Sequence, residues 1–289
     1  MFEWTSETVA EVAREDVVRA LREDVGDADL TAALIDASLQ ASARIVARES
    51  AVICGSPWVE ATFLALDPQA QITWHVAEGQ TCVADQLVLE VHGQARALLT
   101  AERTALNFLQ LLSAVASKTQ TYVHEVCKVP DAKARIVDTR KTLPGLRMAQ
   151  KYAVIAGGGS NHRLGLFDAV LIKENHIASA GGIAHVLART AEVAPRASFV
   201  EIEVESLAEL DQALTAGATM ILLDNFSLPD MTQAVKRNAG QAILEVSGGV
   251  SLSTVAAIAA TGVDRISVGA LTKDVRAIDF SMRFHAQAT

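Results

Sequence analysis

Residues 169–173 read AVLIK, and the same kind of short apolar run recurs as FVEIEV (199–204), MILLD (220–224), AILEVS (242–247) and RISVG (265–269). RIVDT (135–139) precedes them. Helix-like stretches separate the runs: PGLRMAQKYAVI (144–155), GIAHVLARTAEV (182–193), SLAELDQALTAG (206–217), LPDMTQAVKRNAG (228–240) and SLSTVAAIAATG (251–262). Short buried strands that alternate with helices predict a parallel sheet covered by helices, because parallel strands need crossover connections. The residues at the end of each run and just past it decide the closure. They are Arg140 and Lys141, Lys173 and Glu174, Glu205, Asp224, Ser247-Gly248-Gly249, and Gly269. Charges and glycines at the C-terminal ends of parallel strands are what a (β/α) barrel gathers around its mouth. The repeat by itself suggests a full eight-unit barrel. An open doubly wound sheet, with strand-end charges merely solvated, is the alternative.

Ahead of this region the pattern is different. Residues 6–23 carry Val9, Val12, Ala13, Val17, Ala20 and Leu21 near helical spacing. EDVGDADLT (23–31) reads as an acidic turn, residues 43–53, 71–76 and 87–91 as strands, and AEGQ (77–80) as a turn. A long helix is expected over 101–127, with Thr100 as its N-cap. The first part is thus a small α+β unit.

The 289 residues are 50% hydrophobic, enough for a large core, and 25 Lys+Arg against 34 Asp+Glu give a formal charge of −9. An acidic chain argues against nucleic acid or an anionic membrane as the main partner. No apolar run approaches the roughly 18 residues of a membrane span. The acidic start without an apolar core is not read as a signal peptide. Cys54, Cys82 and Cys127 are far apart and in no C-x-x-C pair, which fits reduced thiols in a cytoplasmic protein.

Against this acidic background SNHRLGLFDAVLIKENH (160–176) gathers cations. With Arg140 and Lys141 it gives a basic set that includes His162, Arg163 and Lys173, and Arg103 joins if the long helix brings it in. Such a set in a dry core would be costly unless a ligand supplies anions. Arginine forks suit carboxylates. Glu203 and Asp224 suit Mg²⁺ or sugar hydroxyls. SGGV before Ser251, and VGAL one unit later, place glycine backbone at helix starts, where a phosphate can be held. Bland readings stand beside these: Arg103 as a solvated helix cation, and His162 as a structural or surface histidine. Glu201, Glu203 and Glu205 alternate along one strand, so their face is expected to be wet or liganded, with Ile202 and Val204 toward the helices. His176 and His185 have no partner assignable from sequence. A phosphate-binding barrel without catalysis would need no acidic pair beside the glycines.

The ordered motifs EDVGDADLT, AERTALNFLQLLS (101–113), DTRKTLPGLRMAQKYAVIAGGGSNHRLGLFDAVLIKENH (138–176), EIEVES (201–206), LLDNF (222–226), LEVSGGV (244–250) and RISVGALT (265–272) resemble the quinolinate phosphoribosyltransferase family over most of the chain. Ala114 departs from the family, which has glycine there. The resemblance implies an α/β fold: an incomplete (β/α) barrel of six or seven parallel strands (116–274) and an N-terminal α+β domain (1–115), on which the tail 275–289 packs. It implies transfer of phosphoribosyl from 5-phosphoribosyl-1-pyrophosphate (PRPP) to quinolinate with decarboxylation, giving nicotinate mononucleotide in NAD biosynthesis. On that reading Arg103, Arg140, His162, Arg163 and Lys173 hold the quinolinate carboxylates. Lys141, Glu203 and Asp224 are catalytic, and Lys141 sits between quinolinate and pyrophosphate. Ser247, Gly248, Gly249 and Gly269 hold the 5-phosphate. Glu203 and Asp224 bind ribose hydroxyls or the Mg²⁺ cofactor, directly or through water. The family also implies a homodimer or higher homo-oligomer in which Arg103 reaches a neighbour's site. A nicotinate-specific phosphoribosyltransferase of the same build would need fewer cations.

Overall fold

The computed structural model describes residues 3–285, and the chain divides into two compact units. One comprises residues 119–143 and 158–273. The other takes the N-terminal residues to 118, residues 144–157 and the chain from 274 onward.

The N-terminal unit begins with α1 (Ser6–Val25), whose start is fixed by Thr5 and Thr8, each side chain accepting the other's backbone N–H. β1 (Gln40–Ala47), β2 (Ala51–Val52), α2 (Ser56–Leu66), β3 (Gln71–Trp74), β4 (Thr81–Cys82), β5 (Leu87–Gln94) and α3 (Ala95–Cys127) follow. β1, β5 and β3 are antiparallel neighbours, and β2 pairs with β4. Ala43, Ile45, Val91, Leu98, Leu106 and Phe63 are among the buried residues of one apolar core. Each fully buried large side chain there contributes about 1.5–3 kcal/mol. Ala114 is buried on α3, in the same cluster. The helix starts earlier than its spacing predicts. Thr100 is not the cap: its hydroxyl donates back to the Arg96 carbonyl and to Asp29. A threonine hydroxyl bonded back to the preceding turn sits inside the helix and marks no start there.

The second unit contains β6 (Arg135–Val137), and the chain then makes α4 (Arg147–Ala156). The sequence reading put this helix in the barrel, but its residues cluster with the N-terminal unit. Tyr152 explains the allegiance. Its ring packs on Trp58 at 5.4 Å and on Trp4 at 5.5 Å. The barrel unit resumes with β7 (Val170–Ile172), α5 (Glu174–Ala180), α6 (Ile183–Arg189), β8 (Val200–Val204), α7 (Leu207–Thr215) and β9 (Met220–Asp224). It ends with α8 (Leu228–Asn238), β10 (Ile243–Ser247), α9 (Val255–Ala259), β11 (Arg265–Ser267) and α10 (Ala270–Lys273). β12 (Phe280–His285) belongs to the N-terminal unit and pairs antiparallel with β1. Residues 286–289 of the expected tail lie outside the described residues.

The six parallel strands run in the order β6-β11-β10-β9-β8-β7. On the free side of β6, Ser160 makes a single parallel bridge to Val137. No pairing among the described residues joins that segment to β7, so the barrel is six strands and a bridge rather than eight closed units.

Candidate active site

The pleat selects the site. Side chains of a strand alternate between its two faces, so positions two apart share one. One pocket is lined by Thr139 and Lys141, Leu171 and Lys173, Glu203, Leu222, Glu245 and Ser247, and Ser267. Each pair is two residues apart, at the C-terminal end of β6, β7 and β10. Because every one of the six strands contributes to this single pocket, the sheet must curl around it. Ile202 and Val204, out of phase, are buried in the opposite layer.

Arg140, His162 and Arg163 line the same pocket. The sequence implies that the loop carrying His162 must fold back over the barrel mouth, since it precedes β7. The structure does otherwise. Ser160 runs parallel to β6, so residues 161–163 emerge at the C-terminal end as if from a seventh strand. Asp138, at the end of β6, holds them there. It accepts from Asn161 Nδ2 at 2.7 Å and from the His162 backbone N–H at 2.8 Å. The chain then descends to β7 through a loop in which Asp168 accepts from the N–H groups of Leu164 and Gly165.

Arg163 is buried, and burial together with the Arg140 guanidinium pulls its pKa down. Two guanidinium groups that repel one another across a pocket form a receptor for anions. Lys173 Nζ lies 2.6 Å from Glu203 Oε2. Asp224, on the same inner face two positions beyond Leu222, accepts from Asn225 Nδ2 at 2.7 Å. Gly248 has φ +96°, and a Cβ there would collide with Asn225 Oδ1. Gly249 also has a positive φ of 60°. At Gly269 a Cβ would stand 3.2 Å from Cδ of Lys141, whose stem crosses this glycine. Gly269 does precede a helix directly, but the chain after Gly249 makes a turn over Ser251–Thr254 before α9 begins at Val255.

Two glutamates that the sequence reading left unassigned lie deeper. Glu201 shares the inner face with Glu203, yet it is neither wet nor ligand-facing: it is fully buried and accepts from His162 Nε2 at 2.8 Å. Burial pushes its carboxyl up to about 7, against the pull of Arg265. Glu245, also fully buried, accepts from Arg265 Nε at 2.7 Å and from the Ser267 hydroxyl, and its pKa is raised by burial and by Glu201. Glu205 lies past the end of β8, exposed, with Glu174 as its main electrostatic neighbour. His176 Nδ1 accepts the Lys173 N–H at 3.0 Å, a structural role at the start of α5. Arg103 is exposed on α3 in the N-terminal unit, in a hollow with Asp24, Asp29, Leu30 and Leu99.

The Glu203 and Asp224 oxygens, half-buried at the mouth, suit Mg²⁺, which keeps waters and takes substrate phosphates alongside one or two carboxylates. His162, Glu201 and Glu245 place three potential ligand atoms within 4.8 Å, but this dry group is already hydrogen-bonded to protein.

Residues 115–283 match the family described as quinolinate phosphoribosyl transferase, C-terminal domain, and residues 29–113 match its N-terminal domain. A nicotinate-nucleotide pyrophosphorylase [carboxylating] of Mycobacterium leprae is 42% identical over 282 residues, covering 94% of this chain and 97% of that protein. A probable enzyme of the same name from Bacillus subtilis is 39% identical over 260 residues, with 90% and 89% covered. Among solved structures, the nicotinate-nucleotide pyrophosphorylase from Francisella tularensis is 44% identical with a TM-score of 0.91, covering 96% of this chain and 97% of that one.

Proposed function

The chain belongs to the quinolinate phosphoribosyltransferase family, and from that premise we propose that it joins quinolinate to PRPP, releasing pyrophosphate and CO₂ to give nicotinate mononucleotide for NAD biosynthesis. The observation that carries this reading is the convergence of Arg140, Lys141, Arg163 and Lys173 on one pocket, with Glu203 beside them and the positive-φ glycines after Ser247.

Arg140, Arg163 and Lys173 hold the two quinolinate carboxylates, with paired guanidinium bonds fixing the ring. The N–H groups of Gly248, Gly249 and Gly269 and the Ser247 hydroxyl take the 5-phosphate. Lys141, lying across Gly269, reaches the pyrophosphate. The C1–O bond of the ribose breaks and its electron pair leaves with pyrophosphate, and Lys141 offsets the growing negative charge. Glu203 and Asp224 steady the ribose as C1 becomes cationic and would hold Mg²⁺, directly or through water; when bound, Mg²⁺ neutralises pyrophosphate. The pyridine nitrogen then forms the bond to C1. Its positive charge accepts the electron pair left at C2 when the C2–carboxyl bond breaks, and C2 takes a proton from water. Positioning and charge complementarity supply the catalysis, with no protein nucleophile.

The protein acts as a homodimer or a higher homo-oligomer, with Arg103 completing a neighbour's quinolinate site. Exposure of Arg103 beside Leu30, itself 84% exposed, supports a buried contact there. The enzyme works in the cytoplasm, which its three unpaired thiols support. No described helix is long and apolar enough to cross a membrane.

The test is release of CO₂ dependent on both quinolinate and PRPP; turnover of nicotinate instead would overturn the substrate assignment. Mixing Arg103→Ala with Lys173→Ala subunits, each inactive alone, restores some activity if sites are shared. No recovery after verified subunit exchange sinks that part.

A further inference from the structure

His162 stands among the cations in the sequence, but its bonding is not that of a cation. Nδ1 accepts the backbone N–H of Arg163 at 2.7 Å. A backbone N–H can only donate, so Nδ1 carries a lone pair. Nε2 then carries the ring's single proton and donates it to Glu201 Oε2 at 2.8 Å, with Glu245 Oε1 3.6 Å away. Phe199 meets the ring edge to face, at 5.2 Å. An imidazolium in this position would set a second N–H against the Arg163 N–H. The ring is therefore neutral, and both nitrogens are bonded within the protein.

Glu201 and Glu245 are costly to bury. Their partners are Arg265, Ser267 and His162, from β11 and the segment beside β6. Two carboxylates fixed in the floor of the barrel thus point at one ring nitrogen, and the other nitrogen grips the backbone from which the Arg163 guanidinium enters the pocket. Arg163 Nη1 is tied in turn to the Ala169 carbonyl at 3.3 Å.

We propose that Glu201, Glu245 and His162 are positioning residues: the two carboxylates lock His162 as the neutral Nε2–H tautomer, and its Nδ1 sets the backbone that aims Arg163 at the substrate carboxylate. His162 serves the reaction through Arg163 rather than as a charge on the ligand. The inference rests on the function proposed above, and it gives the buried glutamates the one task their geometry explains. Glu201 is fully buried and does not line the pocket, and Glu245, which does, already accepts from Arg265 and Ser267; the hydrogen-bonded chain to Arg163 is what connects them to the substrate.

The test pairs spectroscopy with kinetics. In the ¹⁵N spectrum of histidine-labelled whole protein at neutral pH, His162 shows one protonated nitrogen and one bearing a lone pair, unchanged when quinolinate is added. Glu201→Leu raises the KM for quinolinate about tenfold while that for PRPP stays within about twofold, since only the aim of a carboxylate ligand is lost. Glu201→Gln, which keeps an acceptor oxygen, recovers most of the loss. His162→Asn, whose amide oxygen stands in for Nδ1, keeps more quinolinate affinity than His162→Ala. Two protonated ring nitrogens, a nitrogen signal displaced by quinolinate, or equal rises in both KM values would each overturn the proposal. The spectrum is read on unaltered protein, so poor folding of a variant cannot hide the answer. Failure of the wild type to turn over quinolinate would instead strike the function and leave the tautomer standing.

Discussion

Asp16 and Glu201 are both buried carboxylates, one in each unit, and they are treated differently. Asp16 spends both oxygens: Oδ2 accepts from Trp58 Nε1 at 2.9 Å and Oδ1 pairs with Arg19. Burial raises its pKa while the Trp58 bond draws it down. Its role is to tie α1 to α2. Glu201 spends one oxygen on His162, and its Oε1 has no partner. Among the described residues the buried side-chain atoms without a hydrogen-bond partner are that oxygen, Arg140 Nε and Arg265 Nη2. All three belong to the barrel unit, in or bonded to the lining of its pocket. An unmade bond to a buried group costs about 1–3 kcal/mol. The buried carboxylate of the N-terminal unit is spent on the fold, whereas the barrel unit carries the cost of unmade bonds where its chemistry lies.

Four substitutions would break or sharpen this contrast. Arg163→Ala should lower kcat/KM for quinolinate about a hundredfold, since a charge-assisted pair is lost from a buried site, with PRPP affected far less. Steady-state kinetics in both substrates decide it, and equal losses would sink the assignment of Arg163 to the carboxylates. Gly248→Ala forces a side chain into a positive-φ position against Asn225, and should weaken PRPP about tenfold with little change for quinolinate. Trp58→Phe leaves Asp16 Oδ2 without its donor and should cost about 1–3 kcal/mol in denaturant unfolding, with both KM values unchanged. A changed KM there would show that the Asp16–Trp58 pair serves the site as well as the fold.

The smallest effect concerns pH. The folded-state pKa of Glu245 is raised, so the native protein holds this proton more tightly than the unfolded chain. Its stability contribution is full below the ordinary carboxylate value and is lost as pH rises through the raised one. Glu245→Gln should therefore flatten the fall in unfolding free energy above the ordinary carboxylate range. An unchanged slope would mean that the Arg265 pair keeps the carboxylate ionised.

Much of this was legible because period and chemistry coincide along the barrel strands. Lys141, Lys173, Asp224 and Ser247 each lie two residues from a pocket-lining neighbour, Glu203 lines the pocket itself, and the pleat leaves such positions no other face. Glu245 could have been found by the same signal, since it is two residues before Ser247 in an otherwise apolar strand. Other features had no local signal. Glu201 looks like its neighbour Glu203 and differs only because His162, distant in the chain, lies against it. The bridge at Ser160 is a single residue, too short for any periodicity to mark. The allegiance of α4 depends on Tyr152 finding Trp58 and Trp4, aromatics far earlier in the chain.

The sequence by itself determined the parallel strands, the face each residue takes and the kinds of charge at the mouth, because these follow from local alternation and side-chain chemistry. The tertiary structure alone decided which charges are spent inside the protein. His162, next to Arg163 in the chain, reads as one more cation until the donor on one ring nitrogen and the carboxylate on the other are seen, and hydrogen bonds between distant residues exist only once the sheet has curled.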